Sequence, residues 1–120
     1  MQKKILIIDD EPDIRNLIRA RLEAKNFTVV EAADGVEGLQ KFRGESPDLV
    51  ITDVSMPNMD GYTFVLEAKK ISTLKHIPII VLTAKDMLQD IFKIEGINDY
   101  IIKPFDADTM FAKIGQYISA

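Results

Sequence analysis

The sequence contains no cysteine, no tryptophan and only one histidine among its 120 residues. The missing cysteines exclude disulfide bonds, thiol catalysis and cysteine metal sites, and they are compatible with a reducing cytoplasm, the location that we predict. Long hydrophobic runs are also missing. Behind the basic start, the apolar stretch at 5–8 has only four residues, whereas a signal peptide needs about seven to fifteen. The sequence therefore predicts neither export nor a membrane partner.

Positive charge is not in excess, because 15 lysines and arginines face 19 aspartates and glutamates and the net charge is −4. This balance gives no reason to expect direct binding to nucleic acid. The hydrophobic share of 47% and the charged share of 28% are typical of a globular chain. A chain of this length buries about two thirds of its unfolded surface, which suffices for one core. We therefore predict a single domain over residues 1–120.

Short apolar segments alternate with amphipathic segments along the chain. The apolar segments predict strands at 5–8, 27–31, 49–51, 79–82 and 100–102. Between them, apolar residues recur at helical spacings of three and four. These stripes are Ile14, Leu17, Ile18 and Leu22; Val36, Leu39 and Phe42; Phe64, Val65, Ala68 and Ile71; Leu88, Ile91 and Phe92; and Met110, Ile114, Tyr117 and Ile118. This alternation of strands and helices predicts an α/β fold of five β-α units, which form a doubly wound parallel sheet with right-handed crossovers.

Several polar residues mark the ends of the predicted strands and helices. Pro12 suits the first turn of a helix, and Asp106 is a plausible N-cap. Gly61, after Asp60, is expected to supply a positive φ angle in a turn. Asp10 or Glu11 could simply cap the helix that begins at Pro12, although one acid would suffice for that.

Polar residues also follow four of the five predicted strands. In an open parallel sheet all carboxyl ends lie at one edge, where ligand sites form. The residues expected there are Asp9, Asp10 and Glu11 after the first strand, Asp53 after the third, Thr83 after the fourth and Lys103 after the fifth. Adjacent carboxylates hinder one another's ionisation, so a compensating cation is expected.

Carboxylate oxygens are the ligands that Mg²⁺ prefers, often together with a phosphate oxygen. An aspartate can act as a nucleophile toward a phosphoryl group, and Lys103 and Thr83 could then bind the phosphoryl oxygens. The residues therefore predict Mg²⁺-dependent capture of a phosphoryl group on Asp53.

The segments "IIDDEP", "DLVITDVSMPNMDG", "VLTAK" and "DYIIKPF" occur in this order over essentially the whole chain. Together they resemble the receiver domains of two-component response regulators, such as chemotaxis regulators. The resemblance implies a flavodoxin-like sheet with strand order 2-1-3-4-5. It also implies two kinds of partner: a sensor histidine kinase or histidine phosphotransfer protein as donor, and a downstream output protein or domain. A monomer or a phosphorylation-dependent dimer is expected.

The resemblance assigns a role to each site residue. It makes Asp53 the phosphoacceptor and a metal ligand, Asp10 a direct Mg²⁺ ligand, and Asp9 an acid that often reaches the metal through water. The backbone carbonyl of Ser55 would be a further ligand. Lys103 would contact the phosphoryl group, with a cis peptide bond to Pro104, and Thr83 and Tyr100 would form the switch pair. The regulated face would comprise the fourth helix, the fifth strand and the fifth helix.

Three other classes of protein are possible from the pattern. A phosphatase of the haloacid dehalogenase type would carry a second Asp two residues after its nucleophile, where this chain has Ser55. A flavodoxin would have a phosphate-binding loop rich in Ser, Thr and Gly after its first strand, where this chain has "DDEPD". A pseudo-receiver that only mediates protein contacts would lack at least one of Asp10, Asp53, Thr83 and Lys103. We therefore predict a phosphoacceptor that is not a turnover enzyme, with the pseudo-receiver as the alternative.

The chain departs from the receiver pattern between Thr83 and Lys103, where the connection is about two residues shorter than usual. We expect this segment to leave Met87 or Ile94 off the buried face of the fourth helix, next to the switch. A second expectation is that this helix becomes ordered on activation.

Overall fold

A computed structural model describes residues 2–91 and 95–119. Within these residues, five strands alternate with five helices. The strands are β1 (Lys4–Ile8), β2 (Thr28–Ala32), β3 (Leu49–Asp53), β4 (Ile79–Ala84) and β5 (Asp99–Lys103). The helices are α1 (Pro12–Ala24), α2 (Gly35–Glu45), α3 (Gly61–Lys69), α4 (Leu88–Ile91) and α5 (Ala107–Gly115). A 3-10 turn at Lys85–Met87 precedes α4.

The five strands form one parallel sheet in the order β2-β1-β3-β4-β5. Strand β1 lies between β2 and β3, so that Ile5 pairs with Val29 on one side and with Leu49 on the other. The predicted fold class and strand order are confirmed. None of the helices in the described part of the chain is long and apolar enough to cross a bilayer.

Both faces of the sheet are covered by helices. Successive residues of a strand point to opposite faces, so each strand contributes side chains to two separate clusters. On one face, Leu6 and Ile8 pack in a cluster with Phe42 of α2 and Phe64 of α3. On the other face the cluster combines residues of β1, α1 and α5: Ile5, Ile7, Ile18, Leu22, Met110 and Ile114. This double burial explains why the strand sequences are almost continuously apolar.

The buried stripes of α1 and α2 are narrower than the spacing predicts. Leu17 and Val36 were expected on the buried face, but their exposed fractions are 44% and 42%. In α2 the buried stripe includes Gly35 and Gly38 instead. A Cβ atom on Gly38 would lie 2.5 Å from the side chain of Ile8, so the helix packs with its backbone close to the sheet.

Three helices are preceded by an N-cap aspartate whose carboxylate accepts a hydrogen bond from the backbone N–H of the third residue of the helix. Asp34 caps α2, Asp60 caps α3 and Asp106 caps α5. The predicted cap at Asp106 is therefore confirmed, with 2.7 Å between its Oδ1 and the backbone nitrogen of Thr109.

The predicted reason for Gly61 is wrong. Gly61 is the first residue of α3, and the positive φ angle in the preceding loop, 67°, belongs to Asn58. The position requires glycine for another reason. A Cβ atom on Gly61 would lie 2.3 Å from the main-chain oxygen of Asp53, so α3 starts in direct backbone contact with the end of β3.

The described residues after β4 test only part of the prediction about the buried face of the fourth helix. Leu88 is partly buried against the cluster of Phe42 and Phe64, as expected. Met87 packs there as well, so it does not lie free on the outer surface. Phe92 and Ile94 lie outside the described residues.

Candidate functional site

Three carboxylates meet at the carboxyl edge of the sheet. Asp9 follows β1 and is fully buried, Asp53 ends β3 and is 8% exposed, and Asp10 is exposed. Each can offer one oxygen such that the three oxygens lie within 4.8 Å of one another. The predicted acid cluster therefore forms, because β1 and β3 are neighbouring parallel strands.

The acids do not serve to cap α1. Glu11 is the N-cap residue of this helix, yet it makes no side-chain capping hydrogen bond. The carboxylate of Asp9 instead accepts a hydrogen bond from the backbone N–H of Glu11, with 2.9 Å between the heavy atoms. A capping role thus leaves the acid cluster unexplained.

Lys103, at the end of β5, extends across β4 toward the acids. Its ammonium nitrogen lies 3.3 Å from Oδ1 of Asp53 and 3.6 Å from Oδ2 of Asp9. The sheet order makes this contact possible, because β4 alone separates β3 from β5. The peptide bond between Lys103 and Pro104 is cis, as the resemblance implies.

The environment of Asp9 fits a divalent cation. Burial raises the pKa of Asp9 above its ordinary value, and the negative charge of Asp53 adds to this rise, while the Glu11 N–H and Lys103 oppose it. The Oδ2 atom of Asp9 is buried and accepts no hydrogen bond within the described residues. An ion bound by carboxylate oxygens would compensate both features, so the residues present suit Mg²⁺.

A cavity of about 240 Å³ opens beside the acids, and its lining includes Asp10, Asp53, Ser55, Thr83, Met87 and Lys103. The structure thus brings the predicted catalytic residues into one cavity. Thr83 is 1% exposed, and its hydroxyl donates to the main-chain oxygen of Ala84 over 3.2 Å. Ser55 lies at the cavity wall, and the role of its carbonyl as a ligand stays a prediction.

Thr83 and Tyr100 lie on the same face of the sheet. In the register of β4 and β5, Thr83 pairs with Ile102 and Val81 pairs with Tyr100. Paired residues point to the same side, and so do residues two apart on one strand. Tyr100 is half-buried, and the ammonium of Lys113 lies 5.2 Å from its ring centroid. Thr83 and Tyr100 are therefore diagonal neighbours on one face of two paired strands.

The sequence did not predict the positions of two residues near the site. Met87 lines the cavity from the 3-10 turn after β4. Arg15 of α1 donates from Nη1 to the main-chain oxygen of Asp9 over 2.6 Å. For Arg15 the only available signal was its helical spacing from the acids, which does not specify a contact with Asp9.

Comparisons of the sequence with family models and with curated proteins agree on one family. The family model of the response regulator receiver domain matches residues 5–115. The probable transcriptional regulator ycf27 of Porphyridium aerugineum is 45% identical over 117 residues, which cover 95% of this chain and 48% of that protein. The chain therefore spans about half the length of this curated relative.

Solved structures agree with this family in fold. The chemotaxis response regulator CheY4 of Vibrio cholerae is 30% identical, with a TM-score of 0.89 over 98% of this chain and 100% of that chain. The receiver domain of the sensor histidine kinase PA1611 from Pseudomonas aeruginosa PAO1 is 27% identical, with a TM-score of 0.90 over 98% of each chain. That structure has a magnesium ion coordinated in its active site cleft.

Proposed function

This chain belongs to the response regulator receiver domain family of two-component systems, and we propose that it accepts a phosphoryl group on Asp53 in a Mg²⁺-dependent reaction. The observation that carries this proposal is the position of Asp53. Its carboxylate lies 3.3 Å from the Lys103 ammonium, in a cavity that Asp10 and Thr83 also line.

The carboxylates of Asp10 and Asp53, and Asp9 beside them, would hold the Mg²⁺, with the Ser55 carbonyl as a further ligand. The ion, when bound, supplies positive charge that offsets repulsion between the acids and an incoming phosphoryl group.

In the proposed reaction, a carboxylate oxygen of Asp53 forms a bond to phosphorus as the bond from phosphorus to the donor breaks. The electron pair of the broken bond leaves with the donor, and Asp53 carries an acyl phosphate. Lys103 balances charge on the phosphoryl oxygens, and Thr83 donates a hydrogen bond to one of them. Water then attacks the acyl phosphate, inorganic phosphate leaves and the Asp53 carboxylate is restored. In this proposal the domain catalyses only its own phosphorylation and slow dephosphorylation and acts on no separate substrate as a turnover enzyme.

Intact-mass spectrometry with acetyl phosphate tests this proposal. We expect the protein to gain one phosphoryl group in the presence of Mg²⁺ and none when the metal is chelated. A protein that stays unmodified under both conditions would support the alternative, a pseudo-receiver that acts only through protein contacts.

The proposed switch rests on a hydrogen bond that must change partner. Thr83 donates to the Ala84 carbonyl in this structure, whereas a phosphoryl group on Asp53 would offer it a charged acceptor. Only an interaction that differs between two states can shift their populations. When the hydroxyl moves toward the phosphoryl group, space becomes available on the side of Tyr100, whose ring then turns inward.

Substitution Thr83→Ala is expected to remove most of the response of Tyr100 to phosphorylation. The measurement is the change in the Tyr100 ring signals in NMR on addition of beryllofluoride and Mg²⁺, since the chain has no tryptophan to report by fluorescence. Thr83→Ser keeps the hydroxyl and serves as the matched control, with a response near that of the wild type. An equal response in both variants would show that the Thr83 hydroxyl does not carry the signal to Tyr100.

We propose that the partner contact regulated by phosphorylation lies on the face formed by α4, β5 and α5, because the switch residue Tyr100 belongs to β5. Ile102, 36% exposed on the same strand, adds apolar surface there. The proposed partners are a histidine kinase or histidine phosphotransfer protein as donor, and an output protein or domain as target. A cytoplasmic location and a monomer or phosphorylation-dependent dimer belong to the same proposal.

A further inference from the structure

Arg15 contacts the backbone of the acid site from outside the cavity. It is the fourth residue of α1, and only 18% of its side chain is exposed. Its Nη1 donates to the main-chain oxygen of Asp9 over 2.6 Å. That oxygen belongs to the peptide bond that joins Asp9 to Asp10, so the guanidinium holds the segment that carries both acids.

The guanidinium of Arg15 is itself held in place. Its Nε lies 3.4 Å from Oε1 of Glu31 on β2. Strand β2 also supplies the main-chain oxygen of Ala32, which accepts from the backbone N–H of Asp9 over 3.1 Å. The residue Asp9 is therefore fixed at both ends of its backbone by groups tied to β2.

We infer that Arg15 is a positioning residue for the metal site, with Glu31 as its support. The inference rests on the proposed function, because it concerns the affinity of the same acids for Mg²⁺. A metal site binds tightly when its ligands are already oriented. Loss of a group that orients the ligands typically lowers the affinity for the metal by about 10- to 100-fold. Arg15 does this through the peptide oxygen of Asp9, and within the described residues it donates no hydrogen bond to a carboxylate oxygen of the acid cluster.

Arg19 provides a matched control on the same helix. It also forms an ion pair with Glu31, and a second one with Glu23, but no hydrogen bond joins it to the acid segment in the described part of the chain. Substitution of either arginine by methionine keeps the aliphatic stem and removes one positive charge. The electrostatic effect alone would strengthen Mg²⁺ binding in both variants, whereas lost positioning weakens it in one.

The experiment is a Mg²⁺ titration of the 120-residue protein, followed by backbone NMR shifts. We expect Arg15→Met to raise the Kd for Mg²⁺ about tenfold, and Arg19→Met to leave it unchanged or slightly lower. Arg15→Lys, which retains a donor and the charge, should recover part of the affinity. Equal affinities in Arg15→Met and Arg19→Met would overturn the inference, and so would failure of the lysine variant to recover any affinity.

A second readout needs no metal. Hydrogen exchange at the Glu11 amide reports on the bond to Asp9 Oδ1, and we expect faster exchange in metal-free Arg15→Met than in metal-free Arg19→Met. If the wild type binds no Mg²⁺, the proposed function fails, while this exchange rate still decides whether Arg15 orients the acids. Equal exchange in the two variants counts against Arg15 in either case.

Discussion

Asp53→Asn is expected to abolish the Mg²⁺-dependent gain of a phosphoryl group from acetyl phosphate. An amide is not a nucleophile toward phosphorus at neutral pH, and the variant also loses one of the charges that attract the metal. The fold should survive, because the asparagine oxygen can still accept the hydrogen bond that Oδ1 accepts from the backbone N–H of Val54 over 2.8 Å. Intact-mass spectrometry after a fixed incubation measures the effect.

The control for this substitution is Asp13→Asn, which makes the same chemical change at an exposed acid in the first turn of α1. It should be modified as fully as the wild type. If Asp53→Asn still gains one phosphoryl group at the wild-type rate, Asp53 is not the acceptor, and another residue must be sought by peptide mapping.

Gly61→Ala is expected to lower the free energy of unfolding by about 2 to 3 kcal/mol, at the upper end of overpacking costs. The new methyl group would lie 2.3 Å from the main-chain oxygen of Asp53 and 3.0 Å from the Cα of Val54. Both atoms belong to the backbone and cannot move aside as a flexible side chain can. Urea denaturation measures the change, and the loss is a large fraction of the roughly 5 to 15 kcal/mol typical of a domain.

Gly44→Ala is the control, because a Cβ atom there meets nothing within 4 Å. Gly44 lies near the end of α2, where alanine is the better helix former, so the variant should be as stable as the wild type or more stable by up to about 1 kcal/mol. A Gly61→Ala protein that matches Gly44→Ala in stability would contradict the close approach of α3 to β3. Because the displaced atom belongs to Asp53, Gly61→Ala should also weaken phosphorylation.

The sequence by itself determined the elements and the edge of the sheet at which the site forms. Short apolar runs, and apolar residues at spacings of three and four, are local features, so strands and helices could be predicted within a few residues of their observed bounds. The positions of Asp53 and Lys103 followed from a general rule, since parallel strands all end at the same edge. The strand order came from the resemblance and not from the pattern.

Only the tertiary structure decided which groups touch. The close contact at Gly61, the full burial of Asp9 and the hydrogen bond from Arg15 to the Asp9 carbonyl each depend on distances between elements that are separate in sequence. Local periodicity specifies which face of a helix or strand is apolar, but not how closely two backbones approach or where a long polar side chain ends. Those distances are set by the packing of the whole domain, in which side chains fill space at crystal-like density.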